Sequence, residues 1–290
     1  MGKPEAEIDL SITLVRDLLH AQHPDLAQLP IAEVASGWDN AIFRLGDRMA
    51  VRLPRRAAAA TLLENEQRWL PLLQARLPLP VPSPIRIGLP QKPYPWRWSI
   101  TPWIAGETAD RSLPGRDQAT VLASFFHALH TQPAGDAPRS AYRGVPLAER
   151  HARFRKSIAI LSERRHTIDD RLLQLWSDAI ARPVDVCPTW IHGDLHAHNV
   201  LVSHGRIAGV IDWGDVTQGD RATDLAAVWM LFPDPNSREE IIAMCKSVSS
   251  DTWQRARGWA LLLSLVVLEA HDPALVGPAE RTMQSLLDGP

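Results

Sequence analysis

The chain has 290 residues, 45% hydrophobic and 22% charged, a balance that fits a folded protein with a substantial core and excludes a disordered one. Its 31 basic and 33 acidic side chains leave a net charge of −2, which gives no electrostatic case for nucleic acid or an anionic membrane as main partner. Two cysteines, Cys187 and Cys245, are too few for a disulfide framework and lack metal-ligand spacing. The N-terminus carries no apolar core of signal-peptide type. The longest apolar run, WALLLSLVVL at 259–268, is too short to cross a bilayer, so a cytoplasmic protein is expected.

Ile8, Ile12, Val15 and Leu19 recur at helical spacing, which predicts an amphipathic first helix over 8–20. In IAEVASGWDNAIFRLGDRMAVRLPRR (31–56) the period falls to two. Ala41, Phe43 and Leu45 alternate with Ile42 and Arg44, Gly46-Asp47-Arg48 turns the chain, and MAVRL follows as a second strand. A glycine-containing turn at Ser36-Gly37-Trp38 precedes this hairpin. The Ala-, Leu- and Glu-rich stretch 57–73 predicts a helix ending near Pro71. LPLPVPSPIRIG is held extended, since each proline restricts itself and its predecessor. WRWSITPWI then alternates as a strand. A small β-rich lobe with one long helix is thus expected over 1–105, and a larger, mainly helical lobe over 106–290. In the second lobe, Ala119, Leu122, Phe126 and Leu129 share a helix face, and helices are expected at 147–163 and 168–181. Thr167 and Asp170 read as a capping box for the latter. NVLV and IAGVIDW form a hairpin around Ser203-His204-Gly205, and helices follow at 222–232, 237–249, 252–270 and 278–287.

The chemistry concentrates in HGDLHAHNV, residues 192–200. His192, His196 and His198 raise the prospect of a metal cage. Imidazoles four apart face one metal only on a helix, however, and Gly193 disfavours one. A zincin helix would also place Glu after the first His, where Gly stands here. Phosphoryl transfer asks for other atoms: a carboxylate that orients the attacking hydroxyl, and hard oxygen ligands for Mg²⁺. Asp194 supplies the first. Asn199, five residues on, and Asp212, thirteen further at the end of AGVIDWGD, supply the second, with a short hairpin to return Asp212 towards the loop. The order matches the H-x-D-x-x-x-x-N and D-F-G pattern of protein kinases.

HGDLHAHNVLV, GVIDWGD and the later DLA together resemble the aminoglycoside phosphotransferase family of small-molecule kinases, which includes macrolide kinases and antibiotic-resistance enzymes. GWDNAIFRLGDRMAVRLPRR, ENEQRWLPLL and LPLPVPSPIRIG extend the resemblance over most of 33–230. It implies an α+β, protein-kinase-like two-lobed fold and transfer of the γ-phosphoryl group of ATP or GTP to a small-molecule hydroxyl. By resemblance, Asp194 is the catalytic base and Asn199 and Asp212 are the Mg²⁺ ligands. His192 supports the loop, Asp224 braces it from the next helix, and His196 stands near the transferring phosphate. Arg52 occupies the place of the usual phosphate-binding Lys, with Glu66 as its ion-pair partner. Ser36 and Trp38 fall in the phosphate-covering loop, and the peptide groups of Trp103 and Ile104 fall in the adenine hinge. Trp213 replaces the Phe of D-F-G as packing.

The acceptor is less defined. Carboxylates for a polycation would come from Glu149, Asp169, Asp170, Asp234, Glu239, Glu240 or Asp251. A broad apolar pocket for a macrolide would draw on Trp176, Trp229, Met230, Phe232, Trp253 or Trp259. A metabolite kinase, a catalytically weak nucleotide-binding regulator and a histidine-ligated metallohydrolase are the competing readings.

Overall fold

A computed structural model describes residues 4–270 and 273–289, with the side chains of residues 35, 36, 273 and 274 outside the description. The chain divides into two compact units. The first comprises Met1–Arg76, Pro80–Ala105 and Val210–Gly214, and the second Leu77–Leu79, Gly106–Gly209 and Asp215–Pro290. The sequence suggested a single division at 105; the structure threads two short segments back across it.

In the first unit, α1 (Ile12–Gln22) starts where the Ser11 hydroxyl accepts from Leu14 N–H, so Ile8 precedes the helix. Five strands form one antiparallel sheet in the order β1-β2-β3-β5-β4: β1 (Ile31–Ser36), β2 (Asn40–Leu45), β3 (Met49–Pro54), β4 (Arg86–Gly88) and β5 (Trp98–Pro102). Gly46, at φ 56°, makes the β2–β3 turn, as its position predicts. Val15, Leu18 and Leu19 of α1 share one core with Phe43, Val51 and Ile100 of the sheet and with Tyr94 and Trp98. Between β3 and β4 runs α2 (Ala57–Gln74). It continues past Pro71 for three residues, since a proline removes only one N–H donor and packing of Leu70 and Leu73 holds the last turn.

The second unit is mainly helical, with small strand pairs β6 (Glu107–Thr108), β7 (Thr189–Ile191), β8 (Val200–Ser203), β9 (Arg206–Val210) and β10 (Thr217–Gly219). The sheet orders are β6-β8-β9 and β10-β7. The β8–β9 hairpin turns at His204 and Gly205, both at positive φ, as a two-residue turn requires. Helices α3 (Ala119–Leu129), α4 (His151–Glu163) and α5 (Asp170–Ile180) precede the hairpin. After it come α6 (Ala222–Leu225), α7 (Ala227–Leu231), α8 (Pro235–Met244), α9 (Ser250–Glu269) and α10 (Pro273–Leu287). Asp169, not Thr167, caps α5 by accepting from Arg171 N–H, so the expected capping box is absent there. The expected helix over 222–232 is broken in two at Ala226. The helix expected at 237–249 starts early because Asp234 caps it, its carboxylate accepting from Ser237 N–H at 3.1 Å. The central α9 packs against α4, α5, α6 and α10. Among the described residues no helix is long and apolar enough to cross a membrane.

Candidate active site

β7 delivers His192, which is fully buried, and the chain then turns sharply at Gly193 (φ 85°). The two oxygens of Asp224, on α6, accept the N–H groups of His192 (2.8 Å) and Gly193 (2.9 Å), so one buried carboxylate fixes two successive peptides of the loop. His130, at the end of α3, sets its Nε2 3.3 Å from the same carboxylate. His192 Nδ1 accepts from Asp194 N–H at 3.2 Å, the supporting role expected of it. A single 3-10 turn, Ala197–Asn199, follows, and the His196 ring caps it: Nδ1 accepts from His198 N–H at 3.2 Å. A neutral His196 therefore carries its proton on Nε2, which lies 3.2 Å from Asp194 Oδ2. Asn199 Nδ2 donates to the Asp194 carbonyl at 2.8 Å, and its Oδ1 makes no part of that bond.

Two further residues complete this centre, and the sequence did not single them out. Arg143 Nη2 stands 2.5 Å from Asp194 Oδ1 and 3.3 Å from Asp215 Oδ2. Its backbone is set by glycine: Gly144 (φ 66°) packs so closely on Gly219 that a Cβ on Gly219 would lie 2.6 Å from the Gly144 Cα. Burial alone would raise the Asp194 pKa, but the His196 imidazole and the Arg143 guanidinium outweigh it and hold the carboxyl well below the usual range. Burial pushes the neighbouring Asp215 up, with Asp194 adding to the effect against Arg143. Arg143 lies in AYRG, which carries no motif, and is brought in by tertiary packing alone. Asp215 was visible as the last letter of DWGD, but nothing in the sequence gave it a partner.

In the first unit the spacing from Arg52 to Glu66 proves to be a contact. The Arg52 guanidinium on β3 forms a buried ion pair with Glu66 on α2, and its Nη2 lies 3.8 Å from Asp212 Oδ1. Burial pushes the Glu66 carboxyl up, despite Arg52. Asp212 follows β9 in a left-handed conformation (φ 62°), and its side chain is 52% exposed. Trp213 is fully buried and donates its Nε1–H to the Val210 carbonyl, as a packing residue should. The turn after β1 is held by Gly37 N–H donating to Asn40 O and by Arg55 donating to the Gly37 and Trp38 carbonyls. Trp38 is exposed, and the Ser36 side chain falls outside the described residues. At the expected hinge, Trp103 N–H donates to Arg48 O at 2.8 Å, continuing the β3–β5 ladder. Only its carbonyl and the Ile104 peptide remain as candidates.

Two adjoining hollows of the second unit share Arg143, Leu263 and Val266. One, of about 240 Å³, contains Asp194, His196, His198 and Met230. The other, of about 290 Å³, contains Arg150, Arg153, Asp215 and Trp259. None of the seven acidic acceptor candidates lines either hollow. Asp169 and Asp234 are helix caps, and Asp251 pairs with Arg182. Of the aromatic and Met candidates only Met230 and Trp259 reach them; Trp176, Trp229, Phe232 and Trp253 are core.

The three loop histidines do not converge: His192 faces a peptide, His196 faces Asp194, and His198 Nδ1 lies 3.1 Å from Asp110. Among the described residues no group of three His, Cys, Asp or Glu could hold a metal ion, which removes the histidine cage. The Asn199 amide oxygen and the half-exposed Asp212 carboxylate are instead hard donors of the kind Mg²⁺ takes.

The chain is similar to known proteins in sequence and in fold. Over 144 residues the chain is 28% identical to an aminoglycoside 3'-phosphotransferase of Escherichia coli, matching 46% of this chain and 51% of that protein. Over 166 residues it is 27% identical to a thiamine kinase of Escherichia coli (strain SMS-3-5 / SECEC), matching 56% and 55%. The chain thus spans about half the length of the curated relatives it matches. Its fold superposes on the GDP complex of wild-type aminoglycoside 2'-phosphotransferase-IIIa with a TM-score of 0.69, over 96% of this chain and 99% of that one at 16% identity. The expected kinase-like α+β fold is therefore the observed one. A family model described as the phosphotransferase enzyme family matches residues 30–259, which include every element that builds the Asp194 loop and the Arg52–Glu66 pair. On that match, the chain belongs to the phosphotransferase enzyme family.

Proposed function

We propose that the chain transfers the γ-phosphoryl group of ATP or GTP to a hydroxyl of a small molecule. The observation that carries this reading is Asp194, an ionised carboxylate one-fifth exposed in a hollow, on a loop whose peptides are fixed by Asp224. In a loose phosphoryl-transfer transition state the base chiefly positions the hydroxyl and takes its proton late. A carboxyl held below its usual pKa suits that task, because it stays ionised and accepts the hydroxyl's hydrogen bond. His196 Nε2–H, beside Asp194 Oδ2, steadies the carboxylate, and His196 is assigned to the neighbourhood of the transferring phosphate.

Arg52 is assigned to the α- and β-phosphates. Its planar fork makes two parallel bonds where a Lys makes one point contact, and Glu66 fixes its orientation. Ser36 and Trp38 belong to the loop assigned to cover the phosphates, and the Trp103 carbonyl with the Ile104 peptide to the base. Asn199 and Asp212 are the residues that would hold Mg²⁺, which when bound neutralises charge on the transferring phosphate. The relatives support a small-molecule acceptor in general, since one is named for an aminoglycoside and another for thiamine.

The test is ADP release by the purified chain with ATP or GTP and Mg²⁺, across aminoglycosides, macrolides, thiamine, amino alcohols and sugars. Asp194→Ala is expected to lower turnover by about 10²–10⁴-fold while nucleotide still binds. Undiminished phosphorylation by that variant would overturn the assignment.

A further inference from the structure

The two hollows differ in charge, and the difference bears on which acceptor fits. In the second, Arg143, Arg150 and Arg153 gather against one carboxylate, Asp215, and a wall that includes Trp259 and Leu262. Arg143 is satisfied by Asp194 and Asp215. Arg153 is satisfied by Glu269 Oε2 at 2.7 Å and by Ser157. Arg150 is the surplus: it forms no ion pair among the described residues, and its buried Nε has no hydrogen-bond partner. Its guanidinium carbon sits 5.4 Å from the centre of the Tyr142 ring, a contact that leaves the donors of the fork free. Burial, together with the charges of Arg143 and Arg153, pulls its pKa below the ordinary arginine value.

An uncompensated, half-buried cation is costly, and the remedy is an anion or an acceptor oxygen brought by a ligand. A polycation entering the same space would meet three guanidinium groups and none of the acidic side chains that the sequence offered for it. We propose that the acceptor site takes a small hydroxylated molecule carrying an anionic group, with its hydroxyl at Asp194 and its anion on Arg150. Arg143, common to both hollows, separates the two ends. The inference rests on the kinase reading for the role of the hydroxyl, but the anion subsite can be tested without turnover.

Calorimetric titration of the full chain with matched pairs provides that test: D-gluconate against D-gluconamide, and glucose 6-phosphate against glucose, with kanamycin as the polycation. At least one anion is expected to bind about tenfold or more tightly than its neutral partner, the scale of one charge-assisted hydrogen bond, and to bind more tightly than kanamycin. Which pair shows the difference tells carboxylate from phosphate. Arg150→Gln should remove the difference while changing the neutral partner less than twofold, Arg150→Lys should restore part of it, and Arg150→Glu should turn the preference towards kanamycin. Equal binding within both pairs, tighter kanamycin binding, or an anion preference that survives Arg150→Gln overturns the inference. ADP release on the same panel separates the two ideas. Arg150-dependent anion binding with no ADP release from any acceptor leaves the subsite standing and sinks the kinase reading. Transfer that favours kanamycin does the reverse.

Discussion

Gly193 holds the Asp194 loop in a backbone conformation that L side chains avoid, and a Cβ there would lie 2.4 Å from the Asp215 carbonyl oxygen. Gly193→Ala therefore cannot be accommodated without moving the loop or Asp215. We expect a loss of about 1–3 kcal/mol in stability by denaturant titration, and a larger fall in turnover than in nucleotide affinity. The charge environment of Asp194 makes a separate prediction for pH. Because its folded pKa is depressed, Asp194, the base in the proposed reaction, stays ionised as pH falls through the ordinary carboxylate range, and that proposal places its acid limb of kcat/KM below that range. Arg143→Gln removes one of the groups that lower this pKa, so the limb should move to higher pH; an unmoved limb would show that Arg143 does not tune the base. The contact between Asp194 and Asn199 was legible in the sequence because their spacing is local. The Arg52–Glu66 ion pair was legible through the family resemblance, which set a strand cation against a carboxylate on the next helix. Arg143 was not, since its position depends on Gly144 lying against Gly219, a contact between distant segments that leaves no pattern in either.

At the scale of elements, the buried Arg255 is one of the ties that hold α9 to the rest of its unit. Arg255 Nε donates to Asp220 Oδ2 at 2.7 Å, Nη2 reaches Asp220 Oδ1 and Asp185 Oδ1, and Asp220 in turn accepts from Ala222 N–H at the start of α6. Arg255→Ala leaves Asp220 buried without its charge partner and should cost about 3–5 kcal/mol, read as a fall in urea midpoint. The Asp185 carboxyl gives this network a pH signature. Burial works against its ionisation, but donors from Ser249, Thr252 and Arg255 outweigh that and hold it at about 2 against an ordinary 3.8. A depressed carboxyl contributes its stability fully above the unfolded value, so the contribution is present above about pH 4 and is lost as pH falls towards 2. Urea titrations from pH 5 to 2 should show that loss in the wild-type chain and a shallower one in Arg255→Ala. Helices and strands themselves were read well from periodicity, because burial of one face is written into the spacing of apolar residues. Their ends were read less well. Pro71 sits inside α2, and Asp169 displaces Thr167 as the cap of α5, because caps are settled by which side chain reaches a free N–H after the chain has packed.

At the scale of the whole molecule, the change in composition and period near residue 105 suggested one division of the chain, whereas the two compact units of the structure are discontinuous in sequence. Val210–Gly214 belongs to the first unit although it is carried by the hairpin of the second. Val210 N–H donates to the Pro80 carbonyl at 3.0 Å, Val210 and Trp213 are fully buried, and a Cβ on Gly214 would lie 3.1 Å from that of Leu62 on α2. Asp212, in the same segment, is the second carboxylate near Arg52. A fragment ending at residue 105 would therefore lack a strip of its own core and leave α2 uncovered, although it contains all five strands of its sheet. Small units have little surplus stability with which to absorb such a loss. We expect residues 1–105 alone to melt over a broad range without a cooperative transition. The same fragment joined through a flexible Gly/Ser linker to residues 208–216 should melt cooperatively, with the near-ultraviolet dichroism of a packed Trp98. Cooperative melting of 1–105 alone would mean that the returning segment is dispensable for folding. In that case its burial serves to set Asp212 beside Arg52, and Val210→Ala should impair nucleotide binding more than it lowers Tm.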